Sequence, residues 1–108
     1  MKLYGLKTCD TCRKAVKALQ AAGHAVEMVD VRATPLALGQ IGAFLDLFGD
    51  ALVNRKSTTW RQLSEAERAR DPAALLGAHP ALMKRPVIED GDALWLGWGK
   101  DVQNSLLG

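Results

Sequence analysis

The sequence predicts an α/β fold: a mixed four-stranded sheet whose two halves are separated by an inserted helical region. Three observations predict it. The chain opens as strand, helix, strand. Its middle is a run of capped helical segments. It closes on a hairpin followed by a short helix.

Residues 3–6, Leu3-Tyr4-Gly5-Leu6, read as a short buried strand. A helix follows over residues 10–22, with Cys12, Val16 and Leu19 on its apolar side and Arg13, Lys17 and Gln20 opposite; Gly23 ends it. Residues 25–31 form a second strand with Val29 and Val31 on one face. Strand, helix and strand in this order make a βαβ unit with parallel strands. In the middle, Leu38, Ile41, Leu45 and Phe48 share one face of a helix that stops at Gly49. Residues 54–60 are polar and basic and read as a loop. Ser64-Glu65-Ala66-Glu67 is a capping box for a short helix, and Asp71-Pro72 pairs an N-cap with a first-turn proline. Val87-Ile88 and Leu94-Trp95-Leu96 flank a turn at Asp90-Gly91 and predict an antiparallel hairpin. A last helix covers residues 101–107. A thioredoxin-like sheet is the economical arrangement of these parts, as one domain spanning residues 1–108 with the helical insertion at residues 35–80.

The composition is that of an ordinary globular domain, 48% apolar and 24% charged. A net charge of +2 is too small to imply direct nucleic-acid binding. Apolar runs such as Ala43-Phe44-Leu45 are far shorter than a membrane span, and the N-terminus lacks the apolar stretch of a signal peptide. The expected compartment is the cytoplasm, and a monomer is expected. In that compartment a catalytic cysteine pair is more usual than a structural bridge.

The only two cysteines stand in Lys7-Thr8-Cys9-Asp10-Thr11-Cys12-Arg13-Lys14. A C-x-x-C at the start of a helix in a βαβ unit is a redox or metal motif. Zinc would need further ligands, and His24 and His79 are not spaced to supply them, so no metal is expected. The thiolate is the nucleophile, and a helix N-terminus or nearby cations favour it. Cys9 lies just before the helix and is the better nucleophile. Cys12 lies one turn inside, facing the core, placed to resolve a mixed disulfide. Lys7, Arg13 and Lys14 add positive charge near Cys9, and Asp10 opposes it. Arg85 directly precedes Pro86 and the apolar Val87-Ile88; Arg85 is a candidate to hold an anionic substrate or stabilise the thiolate. Arg55 and Lys56, in the polar loop, are candidates for a second cationic patch. Trp60, Trp95 and Trp98 are dispersed and expected to serve packing.

These residues resemble a family. Leu3-Tyr4-Gly5 with Cys9-Asp10-Thr11-Cys12-Arg13-Lys14-Ala15, the segment from Ala51 through Asn54-Arg55-Lys56-Ser57-Thr58-Thr59-Trp60-Arg61 to Leu63, and His79-Pro80-Ala81-Leu82-Met83-Lys84-Arg85-Pro86-Val87-Ile88 together look like the arsenate reductase (ArsC)-like family. Thr58-Thr59-Trp60-Arg61 most resembles its YffB-like branch, and Cys12 is typical of its Spx-type regulators. The resemblance implies a thioredoxin-like fold, Cys9 as catalytic cysteine, Arg85 as an active-site arginine beside a cis Pro86, and Arg55 or Lys56 near another family arginine. It implies no bound cofactor, with glutathione as co-substrate or a glutaredoxin-type thiol donor as partner, and a protein disulfide as a possible substrate. A third family arginine is expected beyond the hairpin, where this chain reads Leu96-Gly97-Trp98-Gly99-Lys100-Asp101. A lysine does not reproduce its bidentate geometry, which argues against arsenate as the main substrate. The alternative implied by the Spx-type relatives is a redox-sensing regulator that docks on RNA polymerase.

Overall fold

A computed structural model describes residues 1–108. In chain order the elements are β1 (Lys2–Gly5), α1 (Asp10–Ala21), β2 (Glu27–Asp30), α2 (Leu38–Phe48), α3 (Thr58–Gln62), α4 (Glu65–Arg68), α5 (Pro72–Ala78), β3 (Val87–Asp90), β4 (Ala93–Leu96) and α6 (Lys100–Leu107). Short 3-10 turns at Gly49–Leu52 and Pro80–Leu82 link the middle helices. The chain divides into a sheet unit, Met1–Asp30 with Arg85–Gly108, and a helical unit, Val31–Lys84.

The sheet unit is a four-stranded sheet in the order β2-β1-β3-β4. β1 pairs parallel with β2, with Leu3 opposite Met28, and antiparallel with β3, with Leu3 opposite Ile88. Parallel pairing needs a crossover, and α1 supplies it. β3 and β4 form the hairpin, closed from Asp90 to Ala93 by Gly91 and Asp92; Gly91 takes φ 60°, a left-handed conformation costly for other residues. Leu3 and Ile88 point to one face, where Cys12, Ala15 and Leu19 of α1 and Val102 and Leu106 of α6 bury them. This is the thioredoxin-like architecture the sequence predicts.

Two details of α1 differ from the sequence reading. The fully buried stripe is Cys12, Ala15 and Leu19, while Val16 is only half-buried. The helix is rotated because small residues let it approach β1 closely. A Cβ on Gly5 would overlap Cys12 Sγ and lie 3.3 Å from Cys12 Cβ. The helix also ends at Ala21, with Gly23 at φ 97° just beyond its C-cap.

In the helical unit, Ile41 and Phe44 of α2, Leu75 and Leu76 of α5, and Leu52, Val53, Leu82 and Met83 are buried. A bridge between Val53 and Met83 ties the unit's middle to its C-terminal end, with Asn54 N–H donating to Leu82 C=O at 2.8 Å and Lys84 N–H to Leu52 C=O at 2.7 Å. Two expectations fail here. Leu38 is 70% exposed, because the buried face of α2 is set by Ile41 and Phe44. The expected loop at residues 54–60 is helical from Thr58, because the Ser57 hydroxyl accepts from Trp60 N–H at 3.1 Å and caps α3. Ser64 and Asp71 cap α4 and α5 as the sequence indicates. The Glu67 carboxylate, however, bonds Arg70 and His79.

Candidate active site

Cys9 is the N-cap residue of α1, in extended backbone (φ −84°, ψ 117°). Its N–H donates to Leu6 C=O at 3.0 Å, and Arg13 N–H donates to its C=O at 3.1 Å. Upstream, Lys7 N–H donates to Asp30 Oδ2 at 2.9 Å, so the end of β2 pins the turn that delivers Cys9. Both cysteines are free thiols; Cys9 is half-exposed and Cys12 is fully buried.

The two thiols titrate in opposite directions. Burial by itself would raise the Cys9 pKa. The Cys12 N–H, the Cys12 thiol and the Arg85 guanidinium outweigh that effect and hold it below the ordinary thiol value. The Cys12 N–H does this without closing a full capping hydrogen bond. Burial pushes Cys12 up to about 11, reinforced by the adjacent Cys9 sulfur and only partly offset by Leu6 and Arg85. Cys9 is therefore the easier of the two thiols to deprotonate, and Cys12, the harder, bonds to it.

Arg85 enters from the start of β3. Its peptide bond to the buried Pro86 is cis, and Gly97 N–H, from the end of β4, donates to Pro86 C=O at 2.8 Å. The hairpin thereby holds the residue beside Arg85. The cations flanking Cys9 in sequence act differently from expectation. Arg13 forms an exposed ion pair with Asp10, and Lys7 and Lys14 point to solvent. Arg85, from the far end of the chain, is the cation that acts on the Cys9 sulfur. Lys7 and Arg13 instead line one open groove beside α1.

Arg55 and Lys56 belong to the helical unit. Arg55 donates to Asp50 C=O at 3.3 Å, and its guanidinium lies 5.3 Å from the centroid of the Trp60 ring. Arg68 covers the same ring at 5.6 Å. The Lys56 side chain is exposed. His24 Nε2 meets Leu106 C=O at 2.8 Å, and His79 Nε2 meets the Glu67 carboxylate at 3.1 Å. No group of three or more His, Cys, Asp or Glu side chains converges on a metal position. Sequence reasoning missed Gly5, whose missing side chain makes room for Cys12 Sγ. Its signal was a glycine inside a strand, which marks close approach of another group.

A thioredoxin-like sheet with a cysteine at the start of its first helix defines the class of the protein. The chain belongs to the ArsC family, whose model matches residues 4–104. An uncharacterised protein of Haemophilus influenzae is 42% identical over 100 residues, covering 85% of this chain and 86% of that protein. The global transcriptional regulator Spx of Bacillus subtilis is 28% identical, covering 92% and 80%. Among solved structures, a YffB protein superposes with a TM-score of 0.90 at 31% identity, covering 99% of this chain and 98% of that one. An arsenate reductase (ArsC) related protein from Brucella melitensis superposes with a TM-score of 0.75 at 32% identity, covering 96% and 90%. No helix is long and apolar enough to cross a membrane.

Proposed function

We propose that the protein is a thiol-dependent reductase that opens disulfides through Cys9, with glutathione as the electron donor. The observation that carries this is the opposed pair of thiols: the Cys9 pKa is lowered beside Arg85, and that of the buried Cys12 is raised to about 11. In the first step the Cys9 thiolate attacks one sulfur of a substrate disulfide. A mixed disulfide forms, and the other substrate sulfur leaves as a thiolate that takes a proton from water. In the second step a glutathione thiolate attacks the substrate sulfur of the mixed disulfide and releases Cys9 as thiolate; a second glutathione thiolate then attacks the glutathione sulfur of the resulting substrate–glutathione disulfide, releasing the substrate thiolate, which takes a proton from water, and oxidised glutathione. Alternatively Cys12 passes its proton to the departing substrate thiolate and attacks Cys9; two glutathione molecules then reduce the Cys9–Cys12 disulfide and leave as oxidised glutathione. Arg85 stabilises the thiolate each time Cys9 is released.

Arsenate is the less favoured substrate. The stretch from Leu96 to Asp101 offers only Lys100, a point charge in place of a guanidinium fork.

Two variants test the reading. Cys9→Ser is expected to lose disulfide reduction to the uncatalysed background in a glutathione-coupled assay; full retained activity sinks the proposal. Arg85→Ala removes a group that lowers the Cys9 pKa, so the thiolate appears only at higher pH. Alkylation by iodoacetamide rises as pH climbs through the Cys9 pKa, and its midpoint is expected to move to higher pH in this variant.

A second reading rests on the paired thiols together with the Spx relatives: a redox-sensing regulator that changes its contacts with RNA polymerase when Cys9 and Cys12 oxidise. A pull-down with the oxidised and the reduced protein decides it, and absence of polymerase in both states removes it.

A further inference from the structure

Beside Cys9 the sheet unit carries an open groove of about 230 Å³ lined by Lys7, Arg13, Val16, Lys17, Gln20 and Met28. Arg13, Lys17 and Gln20 stand at i, i+4 and i+7 on one side of α1, Lys7 comes from the turn before Cys9, and Met28 from β2. None of the six is acidic. Asp10 offsets Arg13, but that ion pair is solvent-exposed, and exposed pairs contribute little. Neither Lys7 nor Lys17 has an ion-pair partner. The half-buried Val16 and Met28 give the groove an apolar floor. No aromatic side chain lines it, so a nucleobase would find nothing to stack on.

The groove is long for a tripeptide. At a helical rise of 1.5 Å per residue, Gln20 lies about 16 Å along the axis from Cys9. An extended chain covers about 3.3 Å per residue, so some five residues reach from the thiolate to the far end, against about three for glutathione.

We propose that this groove docks an acidic, extended segment of a polypeptide and so delivers a neighbouring disulfide of that polypeptide to Cys9. The carboxylates meet Lys7, Arg13 and Lys17, Gln20 bonds the segment's polar groups, and apolar side chains settle on Val16 and Met28. The proposal rests on thiol exchange at Cys9 and adds the class of substrate that the site selects.

The test uses the whole chain and three disulfides: a peptide with acidic residues in the five positions beside its cysteine, the same peptide with amides in their place, and the small uncharged hydroxyethyl disulfide. The native protein is expected to open the acidic peptide with a kcat/KM about tenfold above the amide peptide, a preference that salt erodes. Lys17→Glu is expected to remove the preference and Gln20→Glu to weaken it. Both are exposed helix positions that tolerate Glu. Lys2→Glu, at the exposed start of β1, makes the same charge change elsewhere and is expected to keep it. Equal rates on the two peptides, or a preference that survives Lys17→Glu, overturns the groove. Failure to open any of the three disulfides overturns the thiol-exchange reading instead. In that case polarisation binding of a labelled acidic peptide without cysteine, to the native protein and Lys17→Glu, decides the groove. Equally tight binding of a single-stranded oligonucleotide of matched charge overturns the choice of a polypeptide.

Discussion

The sheet unit and the helical unit differ in what their charged side chains do. In the helical unit the arginines close on their own backbone. Arg55 donates to Asp50 C=O, Arg61 to Lys56 C=O, and Arg68 to Trp60 and Arg61 C=O. Arg55 and Arg68 also cover Trp60, and Arg70 pairs with Glu67. These contacts add a guanidinium donor to backbone carbonyls, of which Asp50 and Trp60 C=O also accept from Val53 and Leu63 N–H. In the sheet unit Arg85 acts on a thiol, and Lys7 and Lys17 face an open groove. One cavity in the helical unit is apolar and has room for about one water, 20 Å³, far less than the groove beside α1. The same residue types thus bond the backbone in one unit and face a thiol or an open groove in the other.

The largest expected effects probe the two cores. Leu19 and Leu82 are both fully buried, one in each unit. Leu19→Ala and Leu82→Ala are each expected to cost about 2–5 kcal/mol in urea unfolding. Hydrogen exchange is expected to show amide protection falling first within the unit that carries the change. Simultaneous loss in both units would break the comparison and make the chain one cooperative block.

Next is an alkaline effect confined to the sheet unit. The folded pKa of Cys12 is raised from 9.0 to about 11. A raised pKa means that the folded state holds the proton more tightly. Its stabilisation is complete below pH 9.0 and is lost as pH climbs through about 11. Two pKa units correspond to roughly 3 kcal/mol at this buried group. Urea midpoints of the native protein are expected to fall across that window, and Cys12→Ala is expected to lack this fall.

The smallest effects concern helix caps. Ser57, Ser64 and Asp71 each accept a first-turn N–H in the helical unit. Replacement by Ala is expected to lower stability by about 1 kcal/mol each in urea titrations. In the sheet unit α1 and α6 begin at Cys9 and Gly99 without a side-chain cap. Cys9→Ser introduces a strong capping side chain, so the variant expected to be inactive is also expected to gain about 0.5–1 kcal/mol. A stability loss there would mean that the Cys9 position is not a vacant cap.

Much of the fold was legible because its signals are local. Asp71-Pro72 announces α5, Asp90-Gly91 the hairpin, and the apolar spacing from Cys12 to Leu19 announces α1. The start of α3 was missed because its cap, Ser57, sits in a polar run that also reads as a loop. Leu38 was misplaced because apolar spacing does not show which end of an amphipathic stripe receives a covering element. Arg55 and Lys56 read, from charge and resemblance, as a second cationic patch, and charge by itself does not show that the Arg55 guanidinium donates to Asp50 C=O.

The sequence by itself determined the inequality of the two cysteines. Cys9 and Cys12 stand about one turn apart on the same side of α1, the outer at the uncapped N-terminus and half-exposed, the inner one turn into the core and fully buried. Only the tertiary structure decided which cation meets the thiolate. Lys7, Arg13 and Lys14 are near in sequence but turn to solvent or to Asp10, where hydration competes with any pull on sulfur. Arg85 arrives because β3 pairs with β1, which sets the start of that strand beside the end of the first. A contact of that kind depends on strand order, and no local pattern in the chain encodes it.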